Sequence, residues 1–439
     1  MFLTEEELVN NTETKNFSQN VSSSYHLEDR GKCNKSIFTH TCNAPKLRFK
    51  GYNDEWVEYQ LGKICKTYSG GTPNVSNLNF YNGLIPFIKS GEIHSNQTAM
   101  YITEEGLKNS SAKLVNKGDL LFALYGATSG EVDISKIDGA INQAILCVKS
   151  NYINLIFLKE ILSFNKNKIL CKYLQGGQGN LSADIFKTLK FKFPTLREQE
   201  KIASFLTLID KKIEKQKELV ELLKKYKRGL LFSIFSQKLR FKDNNGNDYP
   251  DWTEKTLGEV TDNISYGLNA ASKKFDSKNK YIRITDIDET TGKYNNLDIV
   301  SPDCVLSDEY KLKINDLLFA RTGASTGKTY LYNENDGKMY FAGFLIKFSI
   351  NEEYYSNFIF YITQTFKYKK WVSIMSTRSG QPGINAKEYS KYKFPCPVYN
   401  EQVKISNIIS KIDIIIEKAN ILLDFYNDYK KGLLQKMFI

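Results

Sequence analysis

The sequence predicts a mixed α+β fold. Two globular α/β domains are separated by two long antiparallel helices, which form a coiled-coil spacer, and the two halves are related by an internal pseudo-two-fold repeat. Three observations predict this fold: a long heptad-patterned stretch, a second copy of that stretch, and sequence islands shared by the regions before each copy. With 439 residues, 41% of them hydrophobic, the chain is long enough for two or three domains.

The first long helix is predicted from Arg197 to Phe235. Pro194 precedes it and no further proline interrupts it, and proline cannot continue a helix from upstream. At 1.5 Å per residue, about 39 residues form a rod of roughly 58 Å, far longer than an ordinary domain helix. Heptad spacing of apolar residues is typical of a helix that packs on another helix. The predicted seam contains Ile202, Leu206, Ile209, Ile213, Val220, Leu223, Leu230 and Ile234, with Gln216 and Lys227 between them.

The second long helix is predicted over residues 400–439, which align with the first at an offset of 203 residues. Glu198-Gln199, for example, aligns with Glu401-Gln402. Because length and heptad register match, we expect the two helices to pair with each other. The alternative is that each helix packs separately on its own domain. The second seam contains Ile405, Ile409, Ile412, Ile416, Ala419, Leu423, Tyr426, Lys430, Leu433 and Met437.

The regions before the helices share short islands, so the repeat covers whole halves. Leu47-Arg48-Phe49 recurs as Leu239-Arg240-Phe241. The apolar runs of residues 118–123 and 315–320 each predict a buried strand that leads into a Gly-rich turn. A Gly-Gln pair follows late in each half, at Gly177-Gln178 and Gly380-Gln381.

These boundaries divide the chain into five segments. If the helices are antiparallel, the two attachment points of the second globular domain lie close together, as domain termini usually do. The segments are a disordered tail over residues 1–44, a globular domain over 45–194, the central spacer helix over 195–237, a second globular domain over 238–397, and the C-terminal spacer helix over 398–439.

The composition permits a nucleic-acid partner without requiring one. The net charge is +12, which permits binding through phosphate contacts. No apolar run reaches the roughly eighteen residues of a membrane helix, and the first residues are not those of a signal peptide. The seven cysteines form no CxxC pair, which is typical of a reducing compartment. We therefore expect a cytoplasmic protein with no membrane partner.

The N-terminal tail contains four residues of the types that bind zinc. His26, Cys33, His40 and Cys42 lie within seventeen residues, but their spacing lacks the close CxxC or HxxxH pairs of zinc sites. The surrounding stretch is rich in Asn, Ser and Thr, which is typical of disorder. We predict no metal site.

Motifs for catalysis are incomplete in this chain. Residues 323–329 resemble a P-loop but have only three residues between the glycines, where the motif needs four. Pro395-Cys396 resembles the catalytic dipeptide of cytosine methyltransferases, but no glycine-rich cofactor loop accompanies it. The three histidines are not close in sequence to another catalytic residue type, so a triad is not expected. We predict a chain with no catalytic residues and no cofactor of its own.

Taken together, the duplicated islands resemble the specificity (S) subunit of a type I restriction–modification enzyme. The resemblance covers about residues 45–439. It implies two target recognition domains, each reading one half of a split sequence in double-stranded DNA, and an antiparallel helical spacer that fixes the gap. It also implies two modification (M) subunits docked on the helices, which bring S-adenosylmethionine and methylate adenine. Restriction (R) subunits would bring ATP- and Mg-dependent translocation and cleavage.

Residues near the shared turns are the candidates for DNA contacts. Arg and Lys can contact guanine, Gln and Asn can contact adenine, and hydroxyls can bind phosphate. In the first domain the candidates are Tyr68, Lys89, Tyr125, Thr128, Ser129, Gln175, Gln178 and Asn180. In the second domain they are Tyr266, Arg283, Arg321, Thr322, Thr326, Lys328, Arg378, Ser379 and Gln381. Arg321 and Arg378 stand out because both flank shared glycine loops and the first half has other residues there.

Two alternatives remain open. The chain could be a coiled-coil scaffold that links protein partners without DNA readout, against which stand the paired globular regions with divergent loops. It could also be a single-chain restriction enzyme with fused catalysis, for which the motifs and the length are missing.

Overall fold

The computed structural model describes residues 2–3, 44–173, 180–377 and 383–438. The predicted disordered tail, residues 1–44, therefore lies outside the described residues apart from its residues 2, 3 and 44. So do the four zinc-type residues within that tail.

The first half contains strands and short helices before the first long helix. The helices are α1 (Leu61–Ile64), α2 (Glu104–Lys108), α3 (Leu155–Tyr173), α4 (Ala183–Thr188) and α5 (Leu196–Phe235), with 3-10 turns at Leu78–Phe80 and Ser90–Glu92. The strands are β1 (Phe2–Leu3), β2 (Arg48–Phe49), β3 (Val57–Gln60), β4 (Lys66–Ser69), β5 (Tyr81–Ile88), β6 (Tyr101–Ile102), β7 (Lys113–Val115), β8 (Leu120–Ala123), β9 (Val132–Ile134), β10 (Gly139–Ile141), β11 (Ile145–Lys149) and β12 (Lys190–Phe193).

The second half follows a similar order. Its helices are α6 (Ser356–Thr363), α7 (Phe366–Ser376), α8 (Ala386–Ser390) and α9 (Tyr399–Met437), with 3-10 turns at Ile284–Asp286, Asp308–Tyr310, Gly323–Ser325 and Glu334–Asp336. Its strands are β13 (Thr253–Thr256), β14 (Thr261–Tyr266), β15 (Ser272–Lys274), β16 (Lys280–Ile282), β17 (Val300–Pro302), β18 (Asp316–Ala320), β19 (Thr329–Leu331), β20 (Met339–Phe341), β21 (Leu345–Ile350) and β22 (Lys393–Cys396).

The chain divides into two compact units, and both long helices cross the division. Unit 1 comprises Met1–Lys215 and Leu423–Ile439, and unit 2 comprises Gln216–Leu422. Each unit therefore contains one globular domain, part of α5 and part of α9.

Each unit is built on a four-stranded antiparallel sheet with the same strand order. In unit 1 the order is β4-β11-β8-β9, and in unit 2 it is β14-β21-β18-β19. The islands predicted as buried strands are β8 and β18, and every residue of both strands is buried. The predicted mixed fold with an internal repeat is thus confirmed.

The remaining strands differ more between the halves. Unit 1 has a second four-stranded sheet in the order β6-β5-β10-β7, in which β10 and β5 are parallel. Unit 2 has only two-stranded pairings in the corresponding stretch, β15 with β17 and β16 with β20, among the described residues. Each domain also has a two-stranded antiparallel pair formed by an early strand and its last strand. These pairs are β3 with β12 in unit 1 and β13 with β22 in unit 2. The halves share one scaffold and carry different additions.

The core of each domain includes parts of both long helices. In unit 1, Ile202 and Leu206 of α5 and Leu433 and Met437 of α9 join the same buried cluster as the domain. The ring centroids of Phe438 and Phe157, which lies on α3, are 5.4 Å apart in an edge-to-face contact. In unit 2, Leu231 and Ile234 of α5 and Ile405 and Ile409 of α9 join the domain cluster, and Phe235 and Phe358 lie 5.5 Å apart. Burial of these apolar side chains stabilises the attachment of both helices to each domain.

The two long helices run antiparallel within each unit. In unit 1, the Nζ of Lys212 lies 5.0 Å from the ring of Tyr426. Residues nearer the start of α5 pack in the same buried cluster as residues at the end of α9, so the start of one helix lies beside the end of the other. In unit 2, Gln216 Nε2 donates to the carbonyl oxygen of Ala419 at 2.8 Å. All twenty positions of the two predicted seams are buried or half-buried. Many side chains outside the seam, such as Leu208 and Leu222, are exposed.

The Glu-Gln pair at the start of each long helix ties the helix to its domain. Glu198 is fully buried and receives two hydrogen bonds from Arg48, both 2.7 Å long. Gln199 caps the preceding turn, since its Nε2 donates to the Pro194 carbonyl and its Oε1 accepts from the Asn154 N–H. Glu401 and Gln402 make the same contacts in unit 2, with Arg240, Pro397 and Tyr355. The shared Arg and Glu-Gln residues are therefore structural.

Candidate DNA interface

The two Gly-rich turns have the same backbone geometry. After β8, the N–H of Gly130 donates to the Ala123 carbonyl at 2.9 Å, and after β18 the N–H of Gly327 donates to the Ala320 carbonyl at 2.9 Å. Gly327 has a φ of +89°, and a Cβ there would lie 2.4 Å from Val372 on α7. Glycine is therefore required at this position, both by backbone conformation and by the close approach of the helix.

The Gly-Gln loops meet these turns at their described flanks. The N–H of Leu181 donates to the Leu124 carbonyl at 2.8 Å, and the N–H of Ile384 donates to the Arg321 carbonyl at 2.9 Å. In each domain, a residue that follows the Gly-Gln pair thus lies beside the Gly-rich turn, although more than fifty residues separate the two in sequence. The candidates Gln175, Gln178, Arg378, Ser379 and Gln381 lie outside the described residues.

Arg321 is held at the surface of unit 2 by three groups. Its Nε donates to the carbonyl oxygen of Gly343 at 3.0 Å. Its guanidinium carbon lies 5.2 Å from the ring of Tyr266 and 5.9 Å from the ring of Phe344. Cation–π contacts of this kind orient the guanidinium plane. The Tyr266 hydroxyl in turn accepts from the Ala386 N–H at 3.2 Å.

A polar cleft of about 400 Å³ opens beside the second turn. The turn contributes Thr326 and Lys328, and α7 contributes Lys369, Ser373 and Ser376. The Lys328 Nζ lies 3.7 Å from Glu289, a separation typical of a weak ion pair. Two lysines and three hydroxyls are groups that can bind phosphate oxygens.

The first domain presents fewer cations at the equivalent place. Lys89, Asn180 and the turn residues Gly126 and Ala127 are exposed. Tyr125 and Thr128 are half-buried, as is Thr322 in the second domain. The Tyr68 hydroxyl donates to the Leu114 carbonyl at 2.9 Å, and burial raises its pKa. Glu131 occupies the position that corresponds to Lys328.

Two further candidates, Ser129 and Arg283, have their polar groups engaged within the domain. Ser129 is buried, and its hydroxyl donates to the Leu124 carbonyl at 3.0 Å, so it stabilises the turn. Arg283 hydrogen-bonds to Asp286 and Asp298, and the contact with Asp286 raises the pKa of its guanidinium. A guanidinium occupied by two carboxylates is a structural group in this fold.

Two residues of this surface, Phe344 and Lys369, are not among the candidates that the sequence offers. Phe344 is 56% exposed and contacts Arg321. Lys369 reaches the cleft from α7. An exposed aromatic residue just before a buried strand was the available signal for Phe344. Lys369 gave no local signal, because the turn residues that share the cleft with it, Thr326 and Lys328, lie more than forty residues away in sequence.

One histidine lies among acidic residues, contrary to expectation. His94 Nδ1 is 2.9 Å from Asp133, and its Nε2 is 3.4 Å from Glu131. The hydrogen bond with Asp133 raises the pKa of His94 above its usual range. Because both ring nitrogens face carboxylates, this imidazole does not have the geometry of a triad base.

The described part of the chain contains neither a candidate membrane span nor a candidate metal cluster. No described helix is both long and apolar enough to cross a membrane. Within the same residues, no group of three or more His, Cys, Asp or Glu side chains could hold a metal ion.

Comparison with known proteins assigns the chain to a class. The profile of the family described as "Type I restriction modification DNA specificity domain" matches residues 53–224 and again residues 236–423. The chain belongs to this family of specificity subunits, which are the non-catalytic members of type I restriction–modification systems. It therefore works with DNA and with other subunits of such a complex.

Individual relatives agree with this assignment. The type I restriction enzyme MjaVIII specificity subunit of Methanocaldococcus jannaschii is 22% identical over 390 residues, which cover 83% of this chain and 87% of that protein. The crystal structure of the S subunit from M. genitalium superposes with a TM-score of 0.59 at 17% identity, covering 90% of this chain and 99% of that one. A structure from a study of assembly and conformational transition of the type I R-M system superposes with a TM-score of 0.55 at 16% identity. The superposition covers 88% of this chain and 98% of that one.

Proposed function

We propose that this chain reads a bipartite target in double-stranded DNA. Each globular domain reads one half-site, and the two long helices set the gap between the half-sites. The observation that carries the proposal is the duplicated turn: backbone hydrogen bonds are the same in both halves, whereas Leu124 and Glu131 stand where the second half has Arg321 and Lys328. One scaffold with two sets of surface side chains suits the reading of two different sequences.

The proposed complex contains two modification subunits that dock on the helices, and restriction subunits. S-adenosylmethionine, ATP and Mg²⁺ would bind to those partners, and the complex would act in the cytoplasm. Apolar side chains exposed along the helices of unit 2 support docking, since charged residues would be expected on a solvated helix face. They are Leu219, Leu222, Tyr226, Phe232, Ile414, Ile415 and Ile421.

Methylation mapping tests the proposal. The chain is co-expressed with its modification subunit, and methylated adenines are mapped across the host genome. We expect one split motif with a constant gap, and no such motif when the modification subunit is expressed alone. Methylation at a continuous motif, or at the same sites without this chain, would contradict the proposal.

A coiled-coil scaffold is the second candidate function. The exposed apolar residues on the helices favour it as well, because a scaffold also needs docking surfaces. It predicts a stable complex with the modification subunit that shows no sequence preference in DNA binding.

A further inference from the structure

Two ion pairs cross between the long helices at equivalent positions of the repeat. In unit 1, Lys430 Nζ lies 2.6 Å from Asp210 Oδ1. In unit 2, Lys227 Nζ lies 2.6 Å from Asp413 Oδ1. Each member of one pair is related to its counterpart by the 203-residue offset. The two lysines occupy seam positions, where the heptad pattern otherwise places mostly apolar residues.

Both lysines are largely buried, and each is held by its own domain as well. The side chains of Lys227 and Lys430 are 12% and 18% exposed. Glu160 on α3 lies 3.0 Å from the Lys430 Nζ. In unit 2, Lys227 donates to Gln364 at 2.7 Å, and the Tyr361 hydroxyl donates to Asp413 at 3.1 Å. These partners leave little freedom for either lysine to find another carboxylate.

The spacing of the pairs selects one register of the helices. Asp210 and Lys227 are seventeen residues apart on α5, and Asp413 and Lys430 are seventeen residues apart on α9. Because the helices are antiparallel within each unit, both pairs form at the same register. A slip of one helical turn, about 5.4 Å, would separate all four charges from their partners. A buried charge without its partner is strongly destabilising, whereas apolar seam residues tolerate a slip.

We propose that Asp210–Lys430 and Lys227–Asp413 determine the register of the two long helices, and thereby the gap between the half-sites. This proposal rests on the proposed function, since the gap has meaning only for a bipartite target. The residues act by positioning the helices and do not contact DNA.

The unit 2 pair is the better one to alter. Exchanging the charges at Lys430 and Asp210 would place an aspartate beside Glu160. Exchanging them at Lys227 and Asp413 meets the amide of Gln364 and the hydroxyl of Tyr361, which can both donate and accept, and the nearby Lys293 and Lys369 favour an acidic group at position 227. Three variants follow. Lys227→Met with Asp413→Asn removes the pair, in a chain that also carries Lys430→Met and Asp210→Asn because the unit 1 pair would otherwise hold the same register. Lys227→Asp with Asp413→Lys reverses the pair in the otherwise unaltered chain, and Lys224→Ala removes the exposed Lys224–Glu221 pair as a control.

Cross-linking of the full chain reports the register without any activity. In the native register, the side chain of Gln216 contacts the carbonyl oxygen of Ala419. Cysteines placed at these two positions should therefore form a disulfide in that register. Cysteines at Gln216 and either Ile412 or Tyr426 report a slip of one heptad. With both pairs removed, we expect the native cross-link to fall at least threefold and a slipped one to appear. The reversed pair and Lys224→Ala should behave as the unaltered chain does.

Methylation of a DNA library with variable gaps gives the functional readout. The variant without the pairs should methylate neighbouring gaps, with its preference for the native gap reduced about tenfold. Native cross-linking in the variant without the pairs would overturn the proposal, as would an unchanged gap preference. If the unaltered complex methylates no split motif, the proposed function fails instead, and the cross-linking still decides the register.

Discussion

Arg321 has two nitrogens available for DNA. Its Nε bonds to Gly343 and two aromatic rings hold its plane, while Nη1 and Nη2 have no hydrogen-bond partner in the described ranges. Two parallel N–H groups on an oriented guanidinium match the O6 and N7 acceptors of guanine. The geometry therefore favours base readout at this position over a diffuse phosphate contact.

Replacement of Arg321 should relax one base of one half-site. We expect Arg321→Ala to cost about 1–3 kcal/mol of discrimination at that base. Arg321→Lys should lose a similar amount of specificity. The lysine ammonium keeps the positive charge but cannot make the two parallel hydrogen bonds of a guanidinium. The measurement is the methylation motif, with Lys393→Ala as a control, since Lys393 is exposed and pairs with Glu254 on another strand. An unchanged motif in Arg321→Ala would remove this residue from the interface.

Sequence reasoning identified the neighbourhood of the site better than its individual residues. The Gly-rich turns after β8 and β18 have the shared form that the sequence predicts, because glycine at a tight turn leaves a local pattern. Ser129 and Arg283 make contacts within the domain, Ser129 with the Leu124 carbonyl and Arg283 with Asp286 and Asp298, and the sequence pattern does not show which side chains pair. Phe344 was missed because its partner Arg321 is distant in sequence. Arg321 follows β18 whereas Phe344 precedes β21, and the two meet only in the folded domain.

At the scale of elements, the long helices were the most predictable part of the chain. Their heptads extend over many turns, and the predicted start and end residues differ by two or fewer from those of the structure. Strand pairing was less predictable. The parallel pairings of β10 with β5 and β16 with β20 join strands about fifty residues apart, and no local pattern records such contacts.

Lengthening both helices together should widen the gap between the half-sites. A heptad inserted after Val220 in α5 and another after Ile416 in α9 adds about 10.5 Å to each helix and preserves the seam. At about 3.4 Å per base pair, the gap should grow by roughly three base pairs with both half-sites unchanged.

The matched control for this insertion carries the heptad in α5 alone. In this control, the two charged residues on α5 are farther apart than the two charged residues on α9, so both ion pairs cannot form at once. We therefore expect weaker assembly of the complex, or methylation at more than one gap length. Methylation mapping distinguishes the cases. A native gap in the doubly extended chain would argue against a spacer role for the helices.

At the scale of the whole molecule, each unit depends on residues distant in sequence. Phe438, which directly follows α9, packs on Phe157 and is 5% exposed, so it completes the core of the first domain together with Leu433 and Met437 of α9. We expect Phe438→Ala to destabilise unit 1 by about 3–5 kcal/mol, the usual cost of such a truncation. Amide hydrogen exchange should then increase in residues 44–215 and remain unchanged in residues 216–422.

The equivalent variant in the other half provides the mirror control. Phe235→Ala removes the contact with Phe358 and should increase exchange in unit 2. Its effect should be smaller, because Phe235 is only half-buried. Equal exchange throughout the chain in both variants would show that the two units do not unfold separately.

The division of the chain also has a consequence for its synthesis on the ribosome. Unit 2 is a continuous segment, Gln216–Leu422, whereas unit 1 needs Leu423–Ile439 in addition to its first 215 residues. At about 5–20 residues per second, roughly 10–40 s separate the translation of those two parts. The domain that is made first is therefore the last to be completed, and until then its apolar surface is available to chaperones.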